Sequence, residues 1–278
     1  MNQSSLMLRT RLEPSVSATD PVFDRIVEAI INQTPIVYSK INHGFWERLV
    51  AIETRGYRIH ENDPEITVEM DQLDGFLRST PHMFEGGFVK ELIEVLKSLP
   101  LAGPDYIFSA GLLGWPGRLE IAGLTHDEVE CQAMIDRFVP EGVKHKTADG
   151  MEFKRAIISG SFVKFAAVIR DRKSLLVGNS NLTRYAEFIS AEQGQFLEIH
   201  PSEARRERET LLRDIIQILE ADKGLKLVLL QSGGSLSAWL IHHLHTIRPD
   251  VSFIDVGLGS LICNPQAIFK SAFGRIYR

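Results

Sequence analysis

Cysteine, excess positive charge and long apolar runs are all scarce in this chain, and each shortage excludes a class of protein. Two cysteines, Cys131 and Cys263, are too few for a disulfide framework or a cysteine-rich zinc site, and they favour a reducing cytoplasm. The net charge of −5 argues against a dominant nucleic-acid surface. No apolar run approaches the roughly 20 residues of a membrane span, and the N-terminus lacks a secretory apolar core.

Three familiar nucleotide-binding and catalytic signatures are also missing. The glycine-rich stretch Gln231–Ser235 is not followed by Gly-Lys-Ser/Thr, so it is not a Walker A loop. It does not match the Gly-x-Gly-x-x-Gly dinucleotide fingerprint either. Ser161, Ser232 and Ser235 lie outside any Gly-x-Ser-x-Gly elbow, which leaves serine hydrolase chemistry without its signature.

What is present is a regular alternation of apolar runs and helical periodicity from residue 174 to residue 257. The predicted order is strand Ser174–Val177, helix Leu182–Ser190, strand Phe196–Ile199, helix Ser202–Asp222, strand Leu225–Leu230, helix Ser235–Ile247 and strand Val251–Val256. Strands that alternate with helices imply a parallel sheet with right-handed crossovers. We therefore predict an α/β, Rossmann-like, mostly parallel sheet flanked by helices.

The first half of the chain is less regular and predicts helical and loop insertions in the middle. The predicted helices are Pro21–Asn32, Phe45–Glu53, Asp71–Thr80, Gly87–Ser98 and Asp127–Phe138; the strands are Thr34–Ser39 and Asp105–Ala110; the loops are Arg55–Met70, Leu112–Leu124 and Pro140–Gly150. Phe153–Ile169 is helical only in part. Asp20 is the expected N-cap of the first helix. Residues 1–20 read as a flexible arm, and residues 21–278 as a single α/β domain.

A glycine-rich turn between a predicted strand and a predicted helix is the strongest functional signal. Gln231-Ser232-Gly233-Gly234-Ser235 follows Leu225–Leu230 without a break. Such a turn points free backbone N–H groups and the positive end of a helix dipole at one place, where phosphates bind. The alternative is a tight strand–helix turn in which Ser235 is the N-cap.

Polar or glycine-rich loops follow each of the four strands of the regular half. They are Gly178–Asn181, His200–Ser202, Ser232–Ser235 and Asp255–Gly257. Ligands of open parallel sheets bind at the carboxyl ends of the strands, so these loops predict one ligand site. Asn179 and Asn181 suit sugar hydroxyls or a base edge, and Arg184 suits a diphosphate. Because polar loops end every strand–helix unit, an ordinary surface is the alternative.

Near the N-terminus, a polar turn follows another predicted strand. It contains Lys40, Asn42, His43 and Gly44, with Glu47 shortly after. His43 and Glu47 are four residues apart and share one face of a helix, as a pair that binds a metal or relays a proton would. A helix start with a surface ion pair explains the same spacing.

The order of these segments resembles the GT-D-type glycosyltransferases of bacterial glycan assembly. Lys40–Phe45 is similar to the early Arg-Phe-Gly-Asp-Gly-Glu-like turn of that family, and Ser174–Ile189 to its strand, polar turn with an arginine, and helix. Gln231–Ser235 looks like the Gly-Pro-Thr-Ala-like turn before a helix. Ile254–Gly257 looks like the closing Asp-x-Gly strand end.

The resemblance covers 20–55 and 155–260, and one departure bears on the metal. The metal-binding Asp-x-Glu motif of the family falls on His43 and Phe45 here. His43 is able to bind a metal and Phe45 is not, so either Glu47 serves, or the protein works without metal, or it has lost transferase activity. No cofactor is certain, and a divalent Mn²⁺ or Mg²⁺ stays open.

The resemblance implies a nucleotide-sugar donor, and hence an enzyme that transfers the sugar to a hydroxyl of a glycan or small-molecule acceptor. The diphosphate would lie on the turn at Ser232, Gly233, Gly234 and Ser235, helped by Lys40 and Arg184; the other donor-binding candidates are Asn42, Gly44, Asn179 and Asn181. A catalytic base would come from His43, Glu47 or Asp255.

Two alternatives to a glycosyltransferase remain at this stage. One is a non-catalytic relative that keeps the nucleotide pocket and acts as a partner subunit, which the degenerate metal motif favours. The other is a different Rossmann-like enzyme such as a methyltransferase, which the missing glycine fingerprint weakens. The donor sugar, the acceptor and the oligomeric state, a homo-oligomer included, are not fixed by the sequence.

Overall fold

The fold is that of a six-stranded, all-parallel sheet covered by helices on both faces. The computed structural model describes residues 20–41, 45–46, 49–50, 58–59, 66–67, 86–99, 103, 105–110, 118–121, 124–144, 150, 152–179, 194–200, 204–231 and 235–257. The predicted α/β class with a parallel sheet is confirmed. The predicted division into a 1–20 arm and a 21–278 domain stays a prediction, because residues 1–19 lie outside the described part.

Six strands form the main sheet, in the spatial order β4-β1-β10-β9-β7-β8. Their bounds are β1 Val37–Lys40, β4 Tyr106–Ser109, β7 Ser174–Gly178, β8 Gly194–Glu198, β9 Leu227–Gln231 and β10 Ser252–Asp255. Every neighbouring pair is parallel, so all six carboxyl ends lie at one edge. We call this the carboxyl edge. The first strand of the chain, β1, is inserted between β4 and β10, with Tyr38 opposite Ile254.

Two further strand pairs lie outside this sheet, in or next to segments that were predicted as loops. They are the antiparallel hairpins β2 Arg58–Ile59 with β3 Ile66–Thr67, and β5 Arg118–Ile121 with β6 Leu124–Asp127. The loop predictions for Arg55–Met70 and Leu112–Leu124 were therefore wrong in part. Strands of two to four residues are too short to show a reliable alternation of polar and apolar side chains.

The helices follow the predicted order in the described part of the chain. Their bounds are α1 Pro21–Ile31, α2 Gly86–Ser98, α3 Glu128–Phe138, α4 Glu141–Lys144, α5 Glu152–Ser159, α6 Phe162–Arg170, α7 Arg208–Ala221 and α8 Ser235–Ile247. Phe45, Trp46, Leu49 and Val50 are also helical. The predicted helices Asp71–Thr80 and Leu182–Ser190 lie outside the described residues. Among the described helices, none combines the length and apolar character that a membrane span needs.

Three predicted segments differ from the helices that the structure shows. The ambiguous stretch Phe153–Ile169 is two helices, α5 and α6, because Gly160 adopts a φ of +78° and interrupts the helical path. The helix α7 begins only at Arg208, six residues later than predicted, after turns that place Ala204 in the core. Glu141–Lys144 is a helical turn inside the predicted loop Pro140–Gly150.

Side chains of the central strands point alternately to the two faces of the sheet and pack into two hydrophobic cores, one on each face. On one face, Val37 and Phe253 pack with helices α2, α3, α7 and α8. On the other face, Tyr38 and Ile254 pack with α1, α5 and α6. A strand that is buried on both faces carries apolar side chains at successive positions, as Leu227–Leu230 of β9 do, which is typical of parallel sheets.

The first helix shows how local sequence sets these boundaries. The Asp20 carboxylate accepts hydrogen bonds from the Val22 and Phe23 amides at 3.0 and 3.1 Å, and Pro21 opens the helix. This confirms Asp20 as the N-cap. The Asp20 carboxylate also pairs with Arg155 of α5, which ties the two helices of this layer together.

Candidate functional site

The carboxyl edge has a buried pair of opposite charges at its centre. Lys40 ends β1 and Asp255 ends the neighbouring strand β10. The Lys40 Nζ lies 3.9 Å from Asp255 Oδ1, and the two side chains are 9% and 1% exposed. Two of the predicted site residues, one proposed for donor binding and the other as a base, are thus direct neighbours.

The Asp255 carboxylate has one satisfied oxygen and one orphaned oxygen. Its Oδ1 accepts a hydrogen bond from the Gly257 amide at 2.9 Å. Its Oδ2 is shielded from solvent and has no hydrogen-bond partner among the described residues. Burial raises the pKa of Asp255 to about 6, although the Lys40 charge, the Gly257 amide and the Ser237 hydroxyl all lower it.

Close packing against Gly257 fixes the position of the Lys40 ammonium. Gly257 has a φ of +46°, and a Cβ added to it would lie 1.8 Å from Lys40 Nζ and 2.7 Å from Lys40 Cε. The lysine side chain therefore occupies the space that any other residue at position 257 would fill. At 3.9 Å its contact with Asp255 is too long for a hydrogen bond, and Lys40 donates none to a described residue.

Helix α8 brings its N-terminus to the same edge. It follows β9 and packs against both β1 and β10. It begins at Ser235, which is 5% exposed, and carries the buried Ser237 two residues further on. Ser235 is the first residue of the helix, whereas the simplest sequence interpretation made it the N-cap. The positive end of the helix dipole thus lies at the carboxyl edge, as the predicted phosphate turn requires.

The remaining predicted site residues differ in how far the structure describes them. Asn179 follows β7 directly and is half-buried, and β7 pairs with β9, so Asn179 lies at the carboxyl edge. Asn42, His43, Gly44, Glu47, Asn181, Arg184, Ser232, Gly233 and Gly234 lie outside the described residues. Their assignment to a base, a metal or a donor stays a prediction.

The described residues around the N-terminal turn are firmly packed. Ile41 before it and Trp46 after it are both fully buried. The Trp46 indole Nε1 donates a hydrogen bond of 2.6 Å to the carbonyl oxygen of Ala110, just beyond the end of β4. This bond anchors the helix of Trp46 to the carboxyl edge beside Lys40.

The histidines of α8 form a structural cluster in the C-terminal half of that helix. The His242 Nε2 lies 3.0 Å from the Ser98 hydroxyl of α2, and the Tyr106 ring packs edge-on against His242 and His245. Burial, then the nearby His243 and His245, lower the pKa of His242 to about 4. No group of three metal-binding side chains occurs among the described residues.

Ser237 and Gly257 contribute to the site but were not among the predicted site residues. Ser237 sits in an ordinary apolar helix, and its contact with Asp255 depends on how α8 packs. The sequence did point to Gly257, because this residue ends the polar segment Asp255–Gly257 and matches the glycine of the closing Asp-x-Gly motif. Its role as packing surface for Lys40 required knowledge of the strand order.

The chain matches no protein-family model and no curated protein. Its fold is similar to that of a glycosyltransferase of Streptococcus sanguinis described as domain of unknown function 1792, with a TM-score of 0.50 and 11% identity over 90% of this chain and 84% of that one. The chain therefore shares the overall fold of that protein. Two further structures of domain 1792, one described as a distinct glycosyltransferase fold, share 12% and 13% identity, each with a TM-score of 0.47 over 84% of this chain and 76% of theirs.

Proposed function

We propose that this protein binds a nucleotide-sugar donor at the carboxyl edge and transfers the sugar to an acceptor hydroxyl of a glycan or small molecule. The observation that carries the proposal is the buried, incompletely hydrogen-bonded pair Lys40–Asp255 at the centre of that edge. A pair with this geometry is expensive to bury, because desolvation of both charges is only partly offset by their attraction. Such costs are concentrated at functional sites.

The donor end of the reaction fits the charges at this edge. Transfer breaks the bond between the anomeric carbon and the diphosphate oxygen, and the negative charge that develops stays on the leaving nucleoside diphosphate. The Lys40 ammonium and the N-terminus of α8 at Ser235 provide fixed positive potential for this charge. We expect Arg184, which follows β7 in the sequence, to add a second cation.

The acceptor end of the reaction requires a base. The acceptor oxygen forms the new bond to the anomeric carbon while its proton passes to a side chain. The candidates are His43, Glu47 and Asp255. The raised pKa of Asp255 makes it a stronger base than an ordinary carboxylate. His43 and Glu47 follow Lys40 by three and seven residues in the sequence.

A thermal-shift screen tests this function and separates it from its alternatives. The ligands are UDP, GDP, their common sugar conjugates, S-adenosylmethionine and NAD, each with Mn²⁺ and with EDTA. A ligand at 100 times its dissociation constant stabilises the fold by about 2.7 kcal/mol. We expect a nucleotide or nucleotide sugar to give the shift.

Product analysis with the nucleotide sugar that binds completes the test. Release of the nucleoside diphosphate in the presence of candidate acceptors, with a new glycoside detected by mass spectrometry, supports a transferase. Nucleotide binding without turnover for any acceptor indicates the non-catalytic relative. A shift with S-adenosylmethionine alone contradicts the proposal and indicates a methyltransferase.

A further inference from the structure

The described residues at the centre of the carboxyl edge do not suit a divalent metal. The GT-D resemblance implies such an ion, and Asp255 is a buried carboxylate at the end of β10, on the carboxyl edge. The Lys40 ammonium, 3.9 Å from Asp255 Oδ1, already lies where a cation would sit and would repel one. Among the described residues, no other metal-binding side chains join Asp255 in a group of three.

We infer that the Lys40 ammonium takes the place of a metal ion in this donor site, and that Asp255 Oδ2 accepts a hydrogen bond from a hydroxyl of the donor. The inference rests on the proposed function and refines it, because it defines the donor as a ligand with a phosphate and a hydroxyl close together. It leaves His43 and Glu47 as the candidates for the base.

The position of Lys40 favours direct contact with a phosphate. Its ammonium carries three donors, and none of them bonds a described residue. Packing against Gly257 restricts the side chain to one place, so binding a phosphate costs little additional ordering. The helix dipole at Ser235 points to the same edge and attracts the same ligand.

The position of Asp255 favours a hydroxyl. Its Oδ1 is engaged by the Gly257 amide and faces Lys40, whereas its Oδ2 lacks a partner among the described residues. A carboxylate oxygen accepts hydrogen bonds and repels phosphate, so the ligand atom opposite Oδ2 is a donor such as a hydroxyl. Both the ribose and the transferred sugar provide hydroxyls, and nucleotides with and without the sugar distinguish them.

Calorimetric titration of the full chain with UDP, GDP and their sugar conjugates, in EDTA and in Mn²⁺, tests the inference. We expect the best nucleotide to bind in EDTA within about tenfold of its affinity in Mn²⁺. Lys40→Met should weaken binding about 10- to 100-fold in both buffers, the size of one lost charge-assisted hydrogen bond. Asp255→Asn should also weaken binding, and the loss of affinity should be the same in EDTA as in Mn²⁺.

The sugar-free and sugar-bearing ligands locate the hydroxyl. An equal effect of Asp255→Asn on UDP and on its sugar conjugate assigns the contact to the ribose. An effect on the conjugate alone assigns it to the transferred sugar. Either result supports a hydroxyl contact, whereas no effect on any ligand contradicts it.

The matched control is a second Lys–Asp ion pair at the opposite edge. Lys173 Nζ lies 3.1 Å from Asp222 Oδ2, before β7 begins. Lys173→Met and Asp222→Asn should leave nucleotide affinity unchanged. A double variant with Lys40→Met and Asp255→Asn removes both charges of the central pair, and it should fold and still bind weakly. This separates loss of binding from loss of folding.

The outcomes separate this inference from the proposed function. Binding that requires Mn²⁺ and is lost in EDTA overturns the inference, and so does an Asp255→Asn effect confined to Mn²⁺, because both indicate a metal site that includes Asp255. Neither result affects the proposed transferase. Absence of nucleotide binding in both buffers contradicts the proposed function itself.

Discussion

Replacing Asp255 with Asn should make the protein more stable at neutral pH, because this carboxylate is held in an environment that disfavours its charge. Burial raises the Asp255 pKa from the ordinary 3.8 to about 6, against the opposing effect of Lys40. The difference corresponds to about 3 kcal/mol at pH 7, at 1.36 kcal/mol for each pH unit. Asn has nearly the same shape as a protonated Asp and keeps an oxygen for the Gly257 amide.

The sign of the pH dependence follows from the raised pKa. Between pH 3.8 and about 6 the unfolded chain loses the Asp255 proton while the folded chain keeps it. The contribution of this group is therefore fully present below pH 3.8 and is lost as the pH rises through about 6. The stability difference between Asp255→Asn and the parent should be small near pH 4 and approach about 3 kcal/mol at pH 7.

Urea unfolding of both proteins at several pH values from 4 to 7 measures this difference. Subtracting one curve from the other removes the titration of all other groups. Asp222→Asn is the control of opposite sign, because a hydrogen bond from Lys173 lowers the pKa of the Asp222 carboxyl. A destabilised Asp255→Asn at pH 7, or a difference that does not change with pH, would refute the reasoning.

Two further substitutions test the packing around the site and the first helix. Gly257→Ala should lower nucleotide affinity at least about tenfold, because the added Cβ displaces the Lys40 ammonium. Gly160→Ala is the control: Gly160 also has a positive φ, but a Cβ there meets no neighbour. This control variant should lose stability and keep its nucleotide affinity. Equal affinities of the two variants would show that Lys40 does not contact the ligand. Asp20→Ala should lower the free energy of unfolding by about 1–2 kcal/mol, because α1 loses its N-cap. The control Glu28→Ala, on the exposed face of α1, should change the free energy of unfolding by less than about 0.5 kcal/mol. Urea unfolding measures both values.

Local patterns predicted the elements of the C-terminal half well. The predicted helix Ser235–Ile247 has the observed bounds, and the predicted strands Leu225–Leu230 and Val251–Val256 overlap β9 and β10. Each of these segments is mostly apolar and largely buried, and each is followed by a polar or glycine-containing turn, so pattern and burial agree. The two hairpins escaped prediction because their short strands carry mixed side chains, as Arg118–Ile121 shows.

The candidate site was predictable in its parts but not in its arrangement. Lys40 and Asp255 were each selected from the turn that follows an apolar strand. Their contact depends on β1 lying beside β10, a pairing of residues more than 200 positions apart, exemplified by the bond from the Ile36 amide to Ser252 Oγ at 3.2 Å. No local pattern specifies which parallel strand inserts between two others. The function of Gly257 follows only from that insertion.

The insertion of β1 beside β10 also determines when the protein can acquire its site during synthesis. Strands β4 and β1 emerge from the ribosome early and can pair with each other, but only β10 joins them to β9, β7 and β8. Until residues 252–255 have emerged, no strand links β4 and β1 to β9, β7 and β8, and each group that forms has an unpaired edge that β10 later covers. Lys40 meets Asp255 in the same final step, so an incomplete chain has no charge pair with which to capture a nucleotide.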